Sequence, residues 1–336
     1  MARSVVYSKG GRPADVLAVI EEDAPSNAGR GEVLVRVTTF PIHPGDLQAI
    51  EATTFRPGGP QRLTAGIEAT GVVEAVGPGV AAAGVEPGAR VTVFPQPGAW
   101  SEFVLADASH VVAVPQNLPQ DIAAQMLVNP LTVLMLRRAV EATGAVGYNG
   151  VFLQTAAGSS VGRIMTAGCE QHAIDHINIV RSAEGAKVLR NRFPNAHVVS
   201  TAQPGWQQEV RTLAGSRPIT AAIDPVGGRM AADLLDVLAP GGTLITYGRI
   251  ADESIPLHAT KLLDNNLTIQ GVSIARWAEV TSPEQRAWDV QTALKMAQSL
   301  SAQFEPAAHY HVSDIAKAVQ HAVRPGKVGT VLVNFS

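Results

Sequence analysis

The order of apolar and polar positions divides the chain into two stretches of different character. In the first 120 residues, short apolar or alternating runs of strand length are separated by turn-forming Pro-Gly and Gly-Pro segments. The clearest of these runs cover residues 32–40, 70–77, 89–95 and 100–106. Runs of this length and period are typical of β-strands. The pattern therefore predicts a compact, mostly β domain over residues 1–120.

From about residue 121 the pattern changes. Residues 122–144 have a helical period, and short apolar runs then alternate with amphipathic ones as far as residue 299. This alternation predicts an α/β domain with a doubly wound parallel sheet and helices on both faces. Strands are expected at 151–156, 176–181, 197–201, 220–225, 242–248 and 267–274. The helices between them are expected to begin near Val161, Ala183, Trp206 and Arg229.

Composition narrows the range of partners. Hydrophobic residues make up 46% and charged residues 16% of the chain, enough apolar material for buried sheets. The net charge is −3, with no basic block, which argues against a nucleic-acid or anionic-membrane partner. No apolar run has the length of a signal peptide or a membrane span, so a cytoplasmic protein is expected. The single cysteine, Cys169, lies in an apolar helical pattern, which favours a buried structural thiol over a nucleophile.

The segment from Leu153 to Gly185 resembles a dinucleotide-binding turn with unusual residues at the glycine positions. Ala157, Ser159 and Gly162 occupy the three glycine positions of the usual fingerprint. A pyrophosphate site needs a tight turn, close backbone approach and a helix that starts at once, and small residues satisfy all three. The alternative is an ordinary strand–turn–helix unit. The segment predicts phosphate contacts from Gly158, Ser159, Ser160, Val161 and Gly162.

The next expected strand ends in a base where an acid is usual. Arg181 lies 19 residues after Gly162, close to the spacing at which an acid contacts the ribose 2′-hydroxyl of NAD. A guanidinium at that place pairs with a 2′-phosphate instead, and Ser182 adds a hydroxyl donor. A solvated surface arginine is the alternative. The pair predicts NADPH as the cofactor.

Ten dispersed segments, in order, carry a resemblance to a known family. They include HPGDLQAI, AGIEATGVVEAVGPGV, VNPLTVLML, AAGSSVG, IDPVGG and QGVSIARW. The chain resembles the medium-chain dehydrogenase/reductases, in the zinc-free branch of quinone oxidoreductases and mitochondrial-type 2-enoyl thioester reductases. The resemblance implies a GroES-like β-rich catalytic domain, 1–120 completed by 300–336, and a Rossmann NADPH-binding domain, 121–299. It also implies a small-molecule substrate in the cleft between them, and a homodimer joined through the cofactor domains.

The resemblance also implies the remaining site residues. It places the nicotinamide near Asn129, Thr132, Val226 and Tyr247, with Gly248 and Lys327 as further cofactor contacts; Asn129-Pro130 suits a helix start equally well. Zinc alcohol dehydrogenases have a cysteine where His43 stands and a histidine where Ile67 stands. Since isoleucine cannot bind zinc and catalytic zinc needs three protein ligands, no metal is expected.

The catalytic segment departs from the enoyl reductases. They carry a tyrosine where an ungapped match places Thr54, followed here by Phe55. The catalytic candidates are therefore Thr54, His43 and Asn129, with His43 either a proton relay or a structural histidine. The expected activity is NADPH-dependent reduction of an α,β-unsaturated carbonyl or enoyl-thioester double bond. Quinone reduction is the alternative, and a non-catalytic NADPH-binding protein is the alternative from another class.

Overall fold

The chain forms two compact units in a computed structural model that describes residues 1–56, 58–146 and 150–336. The first unit combines Met1–Val128 with Ala293–Ser336, and the second is Asn129–Thr292. The pattern of the sequence puts the corresponding boundaries near residues 120 and 300. The predicted class is confirmed, because one unit is built mainly from strands and the other from a parallel sheet with helices.

Short strands dominate the amino-terminal part of the first unit. In chain order they are β1 Ala2–Tyr7, β2 Ala18–Glu22, β3 Glu32–Ile42, β4 Leu63–Thr64, β5 Ala69–Val76, β6 Arg90–Val93, β7 Phe103–Asp107 and β8 Val111–Ala113. The helices among and after them are α1 Pro13–Val16, α2 Pro44–Ala52 and α3 Gln120–Ala123. Strands β3, β5, β6 and β7 match the four strongest runs of the sequence.

The second unit alternates strands and helices. Its helices are α4 Val128–Ala142, α5 Ser160–Gln171, α6 Ala183–Arg192, α7 Trp206–Ala214, α8 Gly228–Leu235, α9 Ala259–Asn265, α10 Ile274–Val280 and α11 Pro283–Ser299, the first and last of which reach into the other unit's residues. Its strands are β9 Val151–Gln154, β10 His176–Val180, β11 His197–Ser200, β12 Ile219–Asp224, β13 Thr243–Thr246 and β14 Thr268–Gly271. They form one parallel sheet in the order β11-β10-β9-β12-β13-β14.

The chain then returns to the first unit. Strands β15 Pro306–His311 and β16 Thr330–Asn334 flank α12 Ile315–Ala322. Strand β16 pairs antiparallel with β3, so Val333 lies opposite Phe40 in the seven-stranded sheet. Phe40 stacks on the fully buried Trp100 at 5.0 Å between ring centroids, in the core of this unit. The last residues are therefore part of the same core as the first hundred.

Two predicted boundaries differ from the structure. The helical pattern over 122–144 is broken between α3 and α4, because Pro130 suits a first helical turn and the preceding N–H groups of Leu127 and Val128 bond to a side chain. The predicted strand 267–274 ends at Gly271. Ser273 ends it by capping α10, since its hydroxyl accepts the N–H of Arg276 at 3.3 Å. No helix in the described ranges is long and apolar enough for a membrane span.

Candidate functional site

A tight turn joins β9 to α5 at the predicted phosphate position. Ser159 caps α5, and its hydroxyl accepts the backbone N–H of Gly162 at 3.1 Å. Ala156 takes a left-handed conformation with φ of 49°, which glycine adopts more readily than alanine. The chain therefore makes the sharp reversal without glycine, and the first turn of α5 begins directly after the carboxyl end of a central strand.

The two glycines of the turn have different surroundings. A Cβ added at Gly162 lies 2.6 Å from the carbonyl oxygen of Ala157, so only glycine allows this approach of α5 to the turn. A Cβ at Gly158 meets no atom of the described residues within 4 Å and points into open space. Open space above a capped helix start fits a bound pyrophosphate, whose oxygens accept N–H groups there.

The neighbouring strand β10 delivers the predicted base to the same edge of the sheet. Arg181 follows its last residue directly and is exposed. No acid pairs with its guanidinium in the part of the chain that the structure describes. Ser182 caps α6 by accepting the N–H of Gly185 at 3.1 Å, which leaves its hydroxyl hydrogen available. The pair can thus receive an anionic group beside the turn.

A buried carboxylate, which the sequence reasoning missed, organises the end of β12. Asp224 is fully buried and accepts the hydroxyl of Thr155 and the backbone N–H groups of Val226 at 3.2 Å and Gly227 at 2.8 Å. Burial raises the pKa of this carboxyl above its usual value. The bonds hold the loop that carries Val226. The sequence signal that could have identified this residue is an aspartate at the end of a predicted strand, directly before Pro-Val-Gly-Gly.

Tyr247 belongs to the same edge. Its backbone N–H donates to the carbonyl of Asp224 at 3.1 Å. Burial and then the charge of Asp224 raise the pKa of its phenol far above the ordinary value, against a smaller opposing effect of Ser159. The phenol therefore stays neutral. The turn, Val226, Tyr247 and Gly248 thus all lie at the carboxyl ends of β9, β12 and β13. The strand order reverses between β9 and β12, and ligands of such sheets bind at that point.

Helix α4 carries two further candidates. Asn129 and Thr132 lie three residues apart, hence on one side of the helix, and both are buried. Asn129 and Pro130 occupy the first turn, as expected for a helix start. The position of Asn129 thus fits both a contact with the cofactor and a helix start.

In the first unit, His43 is part of a buried ionisable cluster. Its Nε2 lies 2.7 Å from Oε2 of Glu68, and its backbone N–H donates to Asp46 at 2.9 Å. The other oxygen of Glu68 accepts the N–H groups of Leu127 at 2.9 Å and Val128 at 3.2 Å. Burial lowers the pKa of His43, but the hydrogen bond and charge of Glu68 raise it more, so the net pKa is raised. The pairing with Glu68 thereby favours the charged form of His43.

The remaining candidates of this unit are Thr54 with the neighbouring Phe55, and Lys327. Thr54 is exposed in the segment after α2, and its hydroxyl makes no hydrogen bond within the described residues. Phe55 packs edge-on against Tyr7, with centroids 6.0 Å apart. Lys327 donates to the carbonyl of Gly329, and its charge opposes protonation of His43.

The chemistry of the other reactive groups is limited. Burial raises the pKa of the Cys169 thiol to about 12, so the thiolate is negligible at neutral pH and the residue is structural. Within residues 1–56, 58–146 and 150–336, no group of three or more His, Cys, Asp or Glu has the arrangement of a metal site. Tyr148 lies outside the described residues.

Comparison with known proteins gives consistent relatives. Residues 29–116 match the family described as alcohol dehydrogenase GroES-like domain, and residues 160–289 match the family described as zinc-binding dehydrogenase. The mitochondrial enoyl-[acyl-carrier-protein] reductase of Caenorhabditis elegans is 29% identical, over 82% of this chain and 79% of its own length. The enzyme of the same name from Xenopus tropicalis is 27% identical, over 96% of this chain and 93% of its own.

Solved structures are also similar over almost the whole chain. A mycobacterial protein in complex with NADPH is 25% identical, with a TM-score of 0.85 over 99% of this chain and 100% of its own. The quinone oxidoreductase of Escherichia coli, also solved with NADPH, has a TM-score of 0.86 over 99% and 100%; at 21% identity it supports the fold alone.

Proposed function

The chain belongs to the zinc-free branch of the medium-chain dehydrogenase/reductase superfamily, and we propose that it reduces an activated carbon–carbon double bond with NADPH. The observation that carries the proposal is the capped turn before α5 with Arg181 at the end of the adjacent strand. The name of the enoyl reductase relatives and the NADPH bound by the mycobacterial relative support it.

The described residues fit the cofactor in two places. The open space at Gly158 and the N–H groups of the first turn of α5 suit the pyrophosphate, and Arg181 with Ser182 suits the 2′-phosphate. Asn129, Thr132, Val226, Tyr247, Gly248 and Lys327 are proposed as further cofactor contacts. When bound, NADPH supplies a hydride.

Arg181→Ala is expected to remove most of a preference of about tenfold for NADPH over NADH, the ~1.4 kcal/mol scale of one charge-assisted pair. Binding of NADH should hardly change, because its 2′-hydroxyl does not need the guanidinium. Fluorescence titration with each cofactor measures both affinities.

Lys187→Ala is the matched control, since Lys187 is another exposed cation in α6, the helix that follows Arg181. It should leave the ratio of the two affinities unchanged. Equal affinity of the wild-type protein for both cofactors would contradict the assignment to NADPH.

The protein's part in the reaction is to orient the substrate and supply protons. A conjugated carbonyl activates its own β-carbon, so negative charge develops on the carbonyl oxygen and no metal is needed. We assign donation toward that charge to Thr54, and the holding of a proton to His43, whose pairing with Glu68 favours its charged form. Asn129 is proposed to orient the reacting groups.

Quinone reduction is the second candidate, and one observation favours it. The segment after α2 presents the exposed hydroxyl of Thr54 and the packed ring of Phe55, where enoyl reductases have a phenol. An aliphatic hydroxyl is a far weaker acid than a phenol. Quinones depend less on such a donor, because water can protonate their product oxygens.

Turnover of NADPH separates the candidates when it is measured with crotonyl thioesters, simple enones and 1,4-benzoquinone. Each assay contains a chelator. Reduction of the thioester or enone supports the first, and reduction of the quinone alone supports the second. Tight NADPH binding without turnover of any of them would identify a non-catalytic binding protein.

Thr54→Tyr is expected to raise thioester turnover by roughly a fewfold while quinone turnover hardly changes, because general acids contribute about 10²- to 10⁴-fold when well placed. The exposure of Thr54 leaves room for the larger side chain. Steady-state rates with both substrates provide the measurement.

Thr54→Val tests the present donor and should slow thioester reduction. Phe55→Tyr is the control for the position of the phenol, because it places the phenol at the neighbouring residue, on a ring that packs against Tyr7. Rapid thioester reduction that is insensitive to Thr54→Val would move the donor role elsewhere, first to His43.

The edge of the second unit's sheet supports a homodimer. Strand β14 ends the strand order and all four of its residues are exposed. Ile269 in this strand and Leu263 in α9 also expose apolar surface, and an uncovered edge strand is a template for pairing with a second copy. Sedimentation equilibrium should give twice the chain mass of 35.2 kDa.

The cytoplasm is the proposed location. The only cysteine is buried, so the fold depends on no disulfide and suits a reducing compartment. The enoyl reductase relatives are named mitochondrial, and cell fractionation distinguishes the two compartments.

A further inference from the structure

Beneath the turn before α5 lies a fully buried set of polar side chains. Gln154 in β9, Thr166 in α5 and Asn178 in β10 have no solvent exposure, and His176 in β10 has 5%. Buried polar groups are costly unless they are hydrogen-bonded, so the bonds they make constrain the elements they join. Each of these side chains bonds to another member of the set, while Oε1 of Gln154 has no partner among the described residues. These four residues therefore call for an explanation beyond packing.

The bonds of the network converge on one backbone atom. The carbonyl oxygen of Gly162 accepts Nε2 of Gln154 at 2.9 Å and the hydroxyl of Thr166 at 3.0 Å. Gln154 also donates to Oδ1 of Asn178 at 2.8 Å, and the Thr166 hydroxyl lies 2.9 Å from the same oxygen. Gly162 is the residue of the first turn of α5 whose missing side chain permits its close approach to the turn.

The histidine fixes the direction of the bonds. Burial lowers the pKa of His176, so the ring is neutral. Its Nε2 receives Nδ2 of Asn178 at 3.1 Å, which leaves Nδ1 to donate to the carbonyl of Ile174 at 3.3 Å. Asn178 must then present its oxygen to Gln154 and Thr166, and Gln154 its NH₂ group to Gly162. This assignment supplies a donor to both acceptors, the carbonyl oxygen of Gly162 and Oδ1 of Asn178.

We propose that Gln154, Thr166 and Asn178 are positioning residues for the cofactor: they hold the first turn of α5 at a set place relative to β9 and β10. None of them touches the ligand in this assignment. They act through Gly162 on the N–H groups offered to the pyrophosphate. Asn178 lies in β10, three residues before Arg181, which follows the end of that strand. This inference rests on the proposed NADPH site.

Thr166→Val tests it, because valine has the shape of threonine without the hydroxyl. The dissociation constants of NADPH and NADH should both rise by about threefold to tenfold, the range of one neutral hydrogen bond. Their ratio should stay constant, because the pyrophosphate is common to both, whereas Arg181→Ala changes the ratio. The value of kcat at saturating cofactor should stay at the wild-type level while the KM for cofactor rises.

Three further variants complete the experiment. Thr166→Ser retains the hydroxyl and should restore both affinities, and Gln154→Leu should weaken both as Thr166→Val does. Thr212→Val in α7 removes a hydroxyl bonded to Gln208 on an exposed helix face and should change neither. If Thr166→Val lowers the melting temperature but leaves both dissociation constants unchanged, the network is structural only and the inference is wrong. A wild-type protein that binds neither cofactor would instead refute the proposed function itself.

Discussion

Glu68→Ala is expected to lower the free energy of unfolding of the first unit by about 3–5 kcal/mol, the cost of breaking a buried pair. The carboxylate has two roles at once. One oxygen is the partner of His43 and the other accepts the N–H groups of Leu127 and Val128 at the start of α4. Alanine removes the carboxylate that these donors share, and a buried donor that loses its acceptor costs about 1–3 kcal/mol. Urea unfolding followed by circular dichroism measures the loss.

Glu68→Gln is the matched control. The amide keeps an oxygen for the N–H groups of α4 and can donate to a neutral His43, so the expected loss is below about 1.5 kcal/mol, the scale of one net hydrogen bond. An alanine variant as stable as the glutamine variant would show that the bonds to α4 contribute nothing.

The same pair predicts how stability depends on pH. Because the pKa of His43 is raised in the folded state, its stabilisation is complete below the ordinary pKa of 6.5 and is lost as pH rises through the folded value. Burial also raises the pKa of Asp46, from 3.8 to about 6, so the contribution of its protonated form to stability is likewise lost as pH rises through that interval. Lys327 opposes the charge on His43. Wild-type stability should therefore fall above pH 6.5, and Glu68→Gln should flatten that part of the curve.

Gly162→Ala is expected to weaken binding of both cofactors by more than about tenfold and to destabilise the second unit by about 1–3 kcal/mol, the usual cost of overpacking. The added Cβ lies 2.6 Å from the carbonyl oxygen and 2.7 Å from the Cα of Ala157, both backbone atoms that no side-chain rotation can move. The first turn of α5 must then shift and carry its N–H groups away from the phosphates. Calorimetric titration with NADPH, together with thermal unfolding, separates the two effects.

Two other glycines serve as controls in the same segment. Gly168 lies in α5, and an added Cβ meets nothing within 4 Å among the described residues outside the backbone of its own helix. Gly168→Ala should therefore leave binding unchanged and stabilise the helix by about 0.5–1 kcal/mol. The methyl group of Gly158→Ala also meets no atom within 4 Å in the described part of the chain, so it should leave stability unchanged but weaken cofactor binding if the pyrophosphate occupies that space. Tight NADPH binding by Gly158→Ala would place the phosphates elsewhere.

Much of the fold and part of the candidate site are determined locally and could be predicted. The alternation of strand and helix patterns depends on periodicity, and all six predicted strands of the second unit are present within a few residues. The turn before α5 and the position of Arg181 follow from spacing along the chain, so both lie where they were expected. Their ligand and their roles remain proposals.

Only the tertiary structure decided which distant polar groups meet. His43 and Glu68 are 25 positions apart, and Glu68 lies 59 positions from Leu127, so no period connects the cluster. The same holds for Thr155 with Asp224, which are 69 positions apart. Sheet order brings these residues together, and a buried donor or acceptor must find its partner wherever the folded chain places one. The sequence by itself thus determined the strands and helices and the small residues of the turn before α5, because those depend on neighbours along the chain. The hydrogen-bonded clusters that hold α4, α5 and the loop of Val226 depend on contacts across the sheet, which only the folded protein defines.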